Sequence, residues 1–295
     1  MKTALILVLF EPRSDNWLHS VKVALQYGYL PIVVDNSEKF LVSEDTDSDK
    51  YIYIRLGENN GIGKAQNIGL RIAMTKGADI IGFFDQDSII TSDLLFELEK
   101  TLINSNNIAI VAPASYDSVT GKEYPSHMIR GNGRFVDVYT CMQQNVIPVD
   151  VAISSGTFVK SYVFEKVGLF NENLFIDFVD IEWCIRCKNN GYSINIVPSA
   201  KMFHSIGEKT KKIWMFTIDV HSPYRTYYKV RNAFLLLKCR VGFKVAFFQI
   251  LPAIVLNFFL LFDKTSGKMY RKYYCQGLCD GIKQLDGKYE DIHSK

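Results

Sequence analysis

The chain has 295 residues, 48% of them hydrophobic and 22% charged, with a formal net charge of +3; that length holds one large domain, or a domain with an appendage, around a sizeable core. The charge is uneven: residues 201–295 carry 17 Lys/Arg against 7 Asp/Glu, and residues 1–200 carry 17 against 24. A basic, aromatic C-terminal third suits an anionic surface such as lipid headgroups, and with no recognisable nucleic-acid module a nucleic-acid partner is set aside.

Residues 3–10 form an apolar strand, and the Glu11-Pro12 that follows is not the small-residue cleavage site of a signal peptide. The six cysteines are therefore expected in a reducing cytoplasm. Trp17, Leu18, Val21, Ala24 and Leu25 fall close to helical spacing within 15–27, and Gly28 ends that helix. A second strand, 30–34, runs into Asp35-Asn36-Ser37, and 43–50 is an acidic surface loop. Residues 51–56 are a third strand, 64–76 a helix closed by Gly77, 80–84 a fourth strand, 92–104 a helix and 108–112 a fifth strand. Strands alternating with helices predict an α/β fold with a parallel, doubly wound sheet. Residues 115–150 have weaker periodicity and read as a variable, acceptor-facing insert. Residues 149–153 lead into Ser154-Ser155-Gly156-Thr157, where a substrate can approach the backbone. A helix is expected from near Ile181 to before Gly191, then a strand over 192–197.

The fourth strand, Ile80-Ile81-Gly82-Phe83-Phe84, stops in Asp85-Gln86-Asp87. Two carboxylates on a rigid strand end can share one hard cation, and Mg²⁺ or Mn²⁺ takes a few carboxylates plus phosphate oxygens. Ligands of open α/β sheets bind beyond the carboxyl ends of the strands. The plainer reading is a solvated turn with Ser88 or Asp93 as a helix cap. Asp35, ending the second strand, is placed to hydrogen-bond a base or ribose, or simply to form a turn. The run Asn59–Gly69 joins a strand to a helix; its glycines allow close approach and its helix N-terminus favours anions. It is neither a dinucleotide fingerprint, because Gln66 stands where glycine is needed, nor a P-loop, because Ala65 replaces the Ser/Thr.

Between Phe175 and Arg186, Asp180 can cap a helix and Glu182 can pair with Arg186 four residues on; alternatively one carboxylate is a general base facing the cleft. His204, after an apolar pair, either is structural or brings an imidazole to a transition ion. Cys184 and Cys187 lack a second pair to complete a zinc site and read as buried thiols.

Taken together and in order, Asp35, the 59–69 run, Asp85-Gln86-Asp87, Ser155-Gly156, the acidic stretch up to Arg186 and His204 resemble family 2 glycosyltransferases of GT-A fold, over about residues 1–235. The forms Gly-x-x-x-Ala-Gln-Asn-x-Gly at 61–69, Phe-Asp-Gln-Asp-Ser at 84–88 and Phe-Ile-Asp-x-Val-Asp-x-Glu-Trp-Cys-x-Arg at 175–186 look most like bacterial rhamnosyltransferases, which use dTDP-rhamnose in O-antigen or capsule assembly. The resemblance implies a Rossmann-like, mostly parallel sheet flanked by helices, and inversion at the anomeric carbon. It implies that Asp35 contacts the base or ribose, that Asn60, Lys64 and Asn67 line the nucleotide pocket, and that Asp85 and Asp87, with His204, hold the metal, Asp85 also reaching the ribose. Phe10, Glu11 and Arg231 complete the nucleotide-binding set. Asp180 matches the base, but Val179 stands where many members have Glu and Glu182 where many have Asp, so the base lies among Asp180, Glu182 and Asp177. No Gln-x-x-Arg-Trp follows, which argues against a processive synthase.

Residues 224–237 set Arg225, Lys229 and Arg231 beside tyrosines, an arrangement able to grip a diphosphate-linked acceptor or to pack as a basic amphipathic helix. Residues 243–262 carry one charge, Lys244, but also Gln249, Pro252 and Asn257. That is borderline for a span of about 20 apolar residues, and basic residues at both ends give no orientation. Helices lying on or dipping into the membrane are expected, with a buried hairpin as the plain alternative. The expected division is a GT-A domain over 1–215 and a helical, membrane-associating region over 216–295. The expected protein is cytoplasmic, peripheral on the inner face of the bacterial plasma membrane, and transfers rhamnose to a lipid-linked oligosaccharide. The alternatives are another sugar, such as galactofuranose or glucose from a UDP donor, or a non-catalytic sugar-nucleotide-binding protein.

Overall fold

The computed structural model describes residues 1–12, 15–39, 50–141, 143–204, 209–213, 216–239, 241–263 and 265–294, with backbone alone at 204, 209–213 and 216–220. In chain order the elements are β1 (Thr3–Leu9), α1 (Asn16–Gln26), β2 (Leu30–Asp35), β3 (Ile52–Arg55), α2 (Ile62–Thr75), β4 (Ile80–Asp85), α3 (Ser92–Asn104), β5 (Ile110–Asp117), β6 (Glu123–Tyr124), β7 (Ser126–Ile129), β8 (Phe135–Val138), β9 (Ile147–Val149) and β10 (Phe158–Lys160). They continue with α4 (Tyr162–Val167), α5 (Val179–Asn189), β11 (Ile194–His204), β12 (Lys209–Ile213), β13 (Phe216–Val220), α6 (Pro223–Leu235), α7 (Phe243–Leu260), α8 (Gly267–Ile282) and α9 (Tyr289–His293). The expected surface loop over 43–49 lies outside the described residues.

Among the described residues the central sheet has nine strands, in the order β3-β2-β1-β4-β10-β5-β11-β9 with β6 beside β5. β3, β2, β1 and β4 run parallel, as do β5 and β11, while β10 is antiparallel to both β4 and β5. The sheet is therefore mixed. The three-residue β10 escapes sequence reading because so short a run carries no periodicity.

β1 shows why the sheet is buried on both faces. Ala4, Ile6 and Val8 join the core under α2, α4 and α5, while Leu5, Leu7 and Leu9 join the one under α1 and α3. Alternate side chains leave opposite faces of a strand, so a continuous apolar run feeds two layers. Trp17 of α1 and Leu94, Leu95, Leu98 and Leu102 of α3 fill the second core. Thr91 caps α3 by accepting from the Leu94 N–H at 3.2 Å. Ser222 caps α6 from the Arg225 N–H at 3.3 Å, with Pro223 at the first helical position.

Leu235, Leu236, Val241 and Ala246 belong to the same cluster as the sheet, so α6 and the start of α7 share the core of the first 215 residues. α7 lies further out. Its 18 residues have a mean hydropathy of 1.9, enough by length and composition to cross a membrane. Phe247, Leu251, Val255 and Phe258 are exposed and continue the row of Phe243 and Phe262, which are 74% and 71% exposed. Steps of three and four residues put these six on one stripe. The turn of the β7–β8 hairpin rests on the first turn of α7: a Cβ on Gly133 would sit 2.5 Å from the Lys244 carbonyl carbon.

Candidate active site

β1, β2 and β4 run parallel and their carboxyl ends form one rim of a cup, at which some of the residues singled out in the sequence lie. Asp85 ends β4, and its N–H donates to Ser155 Oγ at 3.1 Å. The Ser155 and Ser88 hydroxyls share a 2.7 Å hydrogen bond, so the small-residue stretch braces the Asp85-Gln86-Asp87 turn. Gln86 is locked both ways to Phe10: it accepts from the Phe10 N–H at 2.8 Å and donates to the Phe10 carbonyl at 3.0 Å. Phe10 is 44% exposed at the rim, and the Glu11 N–H donates to Ser37 Oγ at 2.7 Å. Asp87 is exposed and Asp85 half-buried at the mouth.

Three members of the expected nucleotide set are structural instead. Asp35 is fully buried; one carboxylate oxygen accepts from the Ser37 N–H and the other from Tyr53 OH at 2.6 Å, which leaves no surface for a ligand. Asn67 is buried on α2 and exchanges hydrogen bonds with the backbone of Phe170, also donating to Glu172 at 2.8 Å. Arg231 is buried on α6 and spends its guanidinium on carbonyls of the chain. Asn60 and exposed Lys64 remain at the cup, with Lys64 Nζ 2.6 Å from Asn60 Oδ1. The glycine of this run also serves the protein: Gly61 has φ of 81° and a Cβ there would lie 2.5 Å from the Phe175 carbonyl.

Across the cup, the turn before α5 is strained. Phe175, Asp177 and Phe178 have φ of 65°, 63° and 64° without being glycine. Such residues cost about 1–3 kcal/mol each and persist where the surroundings fix them. α5 begins at Val179 with Phe178 as its cap residue, so Asp180 lies inside the first turn rather than capping it. Its carboxylate accepts from the Ile181 N–H at 2.8 Å and lines a small pocket with Phe83, Ser154, Thr157 and Trp183.

The three acidic candidates separate by environment. Burial raises the Asp180 carboxyl to about 6; the Ile181 N–H opposes that rise, and the charges of Asp177 and Asp85 add to it. Asp177 is also pushed up by burial, but Arg225, then Lys229 and His221, outweigh this and hold it below its usual value. Arg225 grips Asp177 with Nε and Nη2 at 2.9–3.2 Å. Glu182 is 3% exposed and held by Arg186 at 2.7 and 2.9 Å. Burial raises Glu182 as well, against Arg186, but Arg186 holds both of its oxygens; among the described residues Asp180 is thus the raised carboxyl left unpaired with a cation and suited to take a proton near neutral pH. Asp85 acts on both Asp180 and Arg225, so the two sides of the cup share one field.

The bracing contacts of Gln86, Asn36, Asn59 and Ser155, and the grip of Arg225 on Asp177, were not read from sequence. Asn36 takes the Asn60 N–H at 2.8 Å and donates to Asn59, stitching β2 to the glycine run. Only the Asx-rich turns at 36–37 and 59–60 hinted at this. His204 ends β11 opposite Asp117, and its side chain lies outside the described residues. Cys184 and Cys187 are buried free thiols, as their helix spacing suggested.

Residues 31–168 match the description of glycosyl transferase family 2. The chain is 37% identical over 284 residues, 96% of each chain, to the dTDP-rhamnosyl transferase RfbF of Shigella flexneri. It is 25% identical over 69% of its length to the low-salt glycan biosynthesis hexosyltransferase Agl10 of Haloferax volcanii, covering 66% of that protein. In fold it is similar to TarS residues 1–349 of S. aureus with UDP-GlcNAc, with a TM-score of 0.59 and 15% identity, over 97% of this chain and 82% of that one. GalNAc-T7 with UDP, GalNAc and Mn²⁺ gives a TM-score of 0.58 at 13% identity, over 99% of this chain and 58% of that one. With a GT-A-like mixed sheet and a near full-length relative, the chain belongs to glycosyl transferase family 2 and is a glycosyltransferase.

Proposed function

We propose that the enzyme is an inverting rhamnosyltransferase that moves L-rhamnose from dTDP-rhamnose onto a lipid-linked oligosaccharide during bacterial surface-polysaccharide synthesis. The near full-length match to a dTDP-rhamnosyl transferase supports the donor. Asp180 supports the chemistry: its carboxylate takes the proton of the acceptor hydroxyl while that oxygen bonds to the anomeric carbon. The bond from that carbon to the phosphate oxygen breaks at the same time, and dTDP leaves with the electron pair.

Asp85 and Asp87 offer two hard oxygen donors suited to Mg²⁺ or Mn²⁺, and no group of three or more His, Cys, Asp or Glu that could hold a metal is found among the described residues. A cation held by these two carboxylates would be completed by donor phosphates and water. Such an ion would neutralise charge on the departing diphosphate. Lys64 and Asn60, beside the first turn of α2, are positioned for donor phosphates or ribose.

The apolar stripe of α7, with Lys238, Lys244, Lys268, Arg271 and Lys272 around it, supports peripheral attachment to the inner leaflet. The insert hairpin resting on α7 supports an acceptor that arrives from that side. The test follows nucleoside diphosphate release from dTDP-rhamnose, UDP-glucose and UDP-galactofuranose with Mn²⁺, with and without a bacterial lipid extract. Release from dTDP-rhamnose alone, raised by the extract, is expected. Release from a UDP-sugar instead overturns the donor.

A further inference from the structure

The strained turn before Asp180 makes few backbone hydrogen bonds of the regular kind. The Phe175 and Phe178 carbonyls accept from the Ile62 and Glu182 N–H groups at 2.8 and 2.9 Å, and those of Leu174, Ile176 and Asp177 accept from two fully buried neighbours on α6. Asn232 Nδ2 donates to the carbonyls of Leu174 and Ile176 at 2.7 Å and of Asp177 at 3.2 Å. Arg231 donates to the Leu174 carbonyl at 3.2 Å, to Gly287 at 2.6 Å, and through Nε to Asn232 Oδ1 at 2.9 Å. The guanidinium lies 5.2 and 4.8 Å from the Tyr227 and Tyr228 rings, and Phe175 stacks on Tyr228 at 4.8 Å and 14°. The chain near the C-terminus joins the same cluster, where the Gly287 N–H donates to the Asn173 carbonyl at 2.9 Å. A buried arginine fork and amide aimed at the Leu174, Ile176 and Asp177 carbonyls hold a path that the turn's own residues disfavour.

We propose that Arg231 and Asn232 are positioning residues for catalysis: by holding the left-handed path of Phe175–Phe178, they fix where Asp180 meets the acceptor hydroxyl. This rests on Asp180 being the base. Neither residue reaches the cup, and both lie beyond the 31–168 segment matched to the family. Their action goes through the backbone. Without the Asn232 amide, the Ile176 and Asp177 carbonyls lose the donor that holds them, and the turn relaxes toward ordinary dihedrals. Asp180, two residues after Phe178, moves with it, whereas Asp85 and Asp87 stand at the end of β4, and the Phe175 carbonyl stays tied to the Ile62 N–H of α2 at 2.8 Å.

The experiment compares full-length wild type, Asn232→Ala, Asn232→Ser, Arg231→Lys and Asp180→Asn in steady-state transfer and in dTDP binding by calorimetry. A displacement of about 1 Å costs on the order of 10²-fold in turnover. Asn232→Ala is expected to lose about that much kcat, with donor KM and dTDP Kd within about twofold of wild type. Asn232→Ser, which keeps one donor, and Arg231→Lys, which keeps the charge, are expected to lose less; they carry the test if the alanine variant does not fold. Folded Asn232 variants with wild-type kcat overturn the proposal while an inactive Asp180→Asn leaves the base reading standing. Loss of kcat, KM and Kd in parallel also overturns it, because the role is then only structural. An active Asp180→Asn removes the base reading itself.

Discussion

Replacing Asp180 with Asn keeps the side chain's size and its acceptor oxygen for the Ile181 N–H, but removes the basic carboxylate. With a carboxyl pushed up to about 6 by burial and by Asp177 and Asp85, the wild-type base is about nine-tenths ionised at pH 7 and about one-tenth at pH 5. Turnover should therefore rise close to tenfold per pH unit below 6 and level off above 7. General-base catalysis contributes about 10²–10⁴-fold, so Asp180→Asn should lose that much kcat at pH 7.5 and show no acid limb. The sign for stability is opposite. A carboxyl whose folded-state value lies above its unfolded one stabilises the fold at low pH and loses that contribution as pH rises through 6. The amide is never ionised, so at pH 8 the variant should unfold at the same temperature as wild type or higher. The assay is dTDP release from pH 5 to 8 with calorimetric melting on the same samples. A variant within a few fold of wild type, or one that keeps the acid limb, refutes the assignment.

Other substitutions separate chemistry from scaffold. Glu182→Gln leaves Arg186 without its buried counter-ion; since Arg186 keeps 24% exposure and two carbonyl partners, the loss should be about 3 kcal/mol in urea unfolding, with dTDP binding unchanged. Asp87→Ala, or chelation of wild type, should abolish release while leaving the melting temperature within about 2 °C, because Asp87 is exposed and surface changes move stability little. Phe247→Glu with Leu251→Glu should stop the protein floating with phosphatidylglycerol vesicles, and leave transfer to a detergent-solubilised acceptor intact; unchanged flotation counts against α7 as the attachment face.

Much of the parallel half was legible because each strand is apolar, short and followed by an amphipathic helix. Asp85, Asp87 and Asp180 were legible as carboxylates at or near element ends. Arg231 and Asn67 misled for one reason: polar residues near a suspected pocket read as ligand contacts, yet each saturates the backbone of a distant loop. Glu182 was ambiguous only until Arg186 was seen to hold both of its oxygens, a pairing visible as an i,i+4 spacing. Asn232 and Ser155 were invisible as positioning groups, since their partners lie 174–177 and 85–88, remote in sequence.

The antiparallel β10 has a kinetic consequence. β1, β2, β3 and β4 pair among themselves, so that side of the sheet can form from contacts near in sequence. β4 and β5 do not touch as neighbours; the slot between them stays open until Phe158–Lys160 arrives from far along the chain to pair with both. Pairings of such long sequence separation form slowly. Ser155, three residues before β10, is also the group that braces the Asp85 turn. Closing the sheet and setting the Asp85-Gln86-Asp87 turn are thus one folding event, and amides of β4 and β10 should gain protection from exchange together, at the moment activity appears.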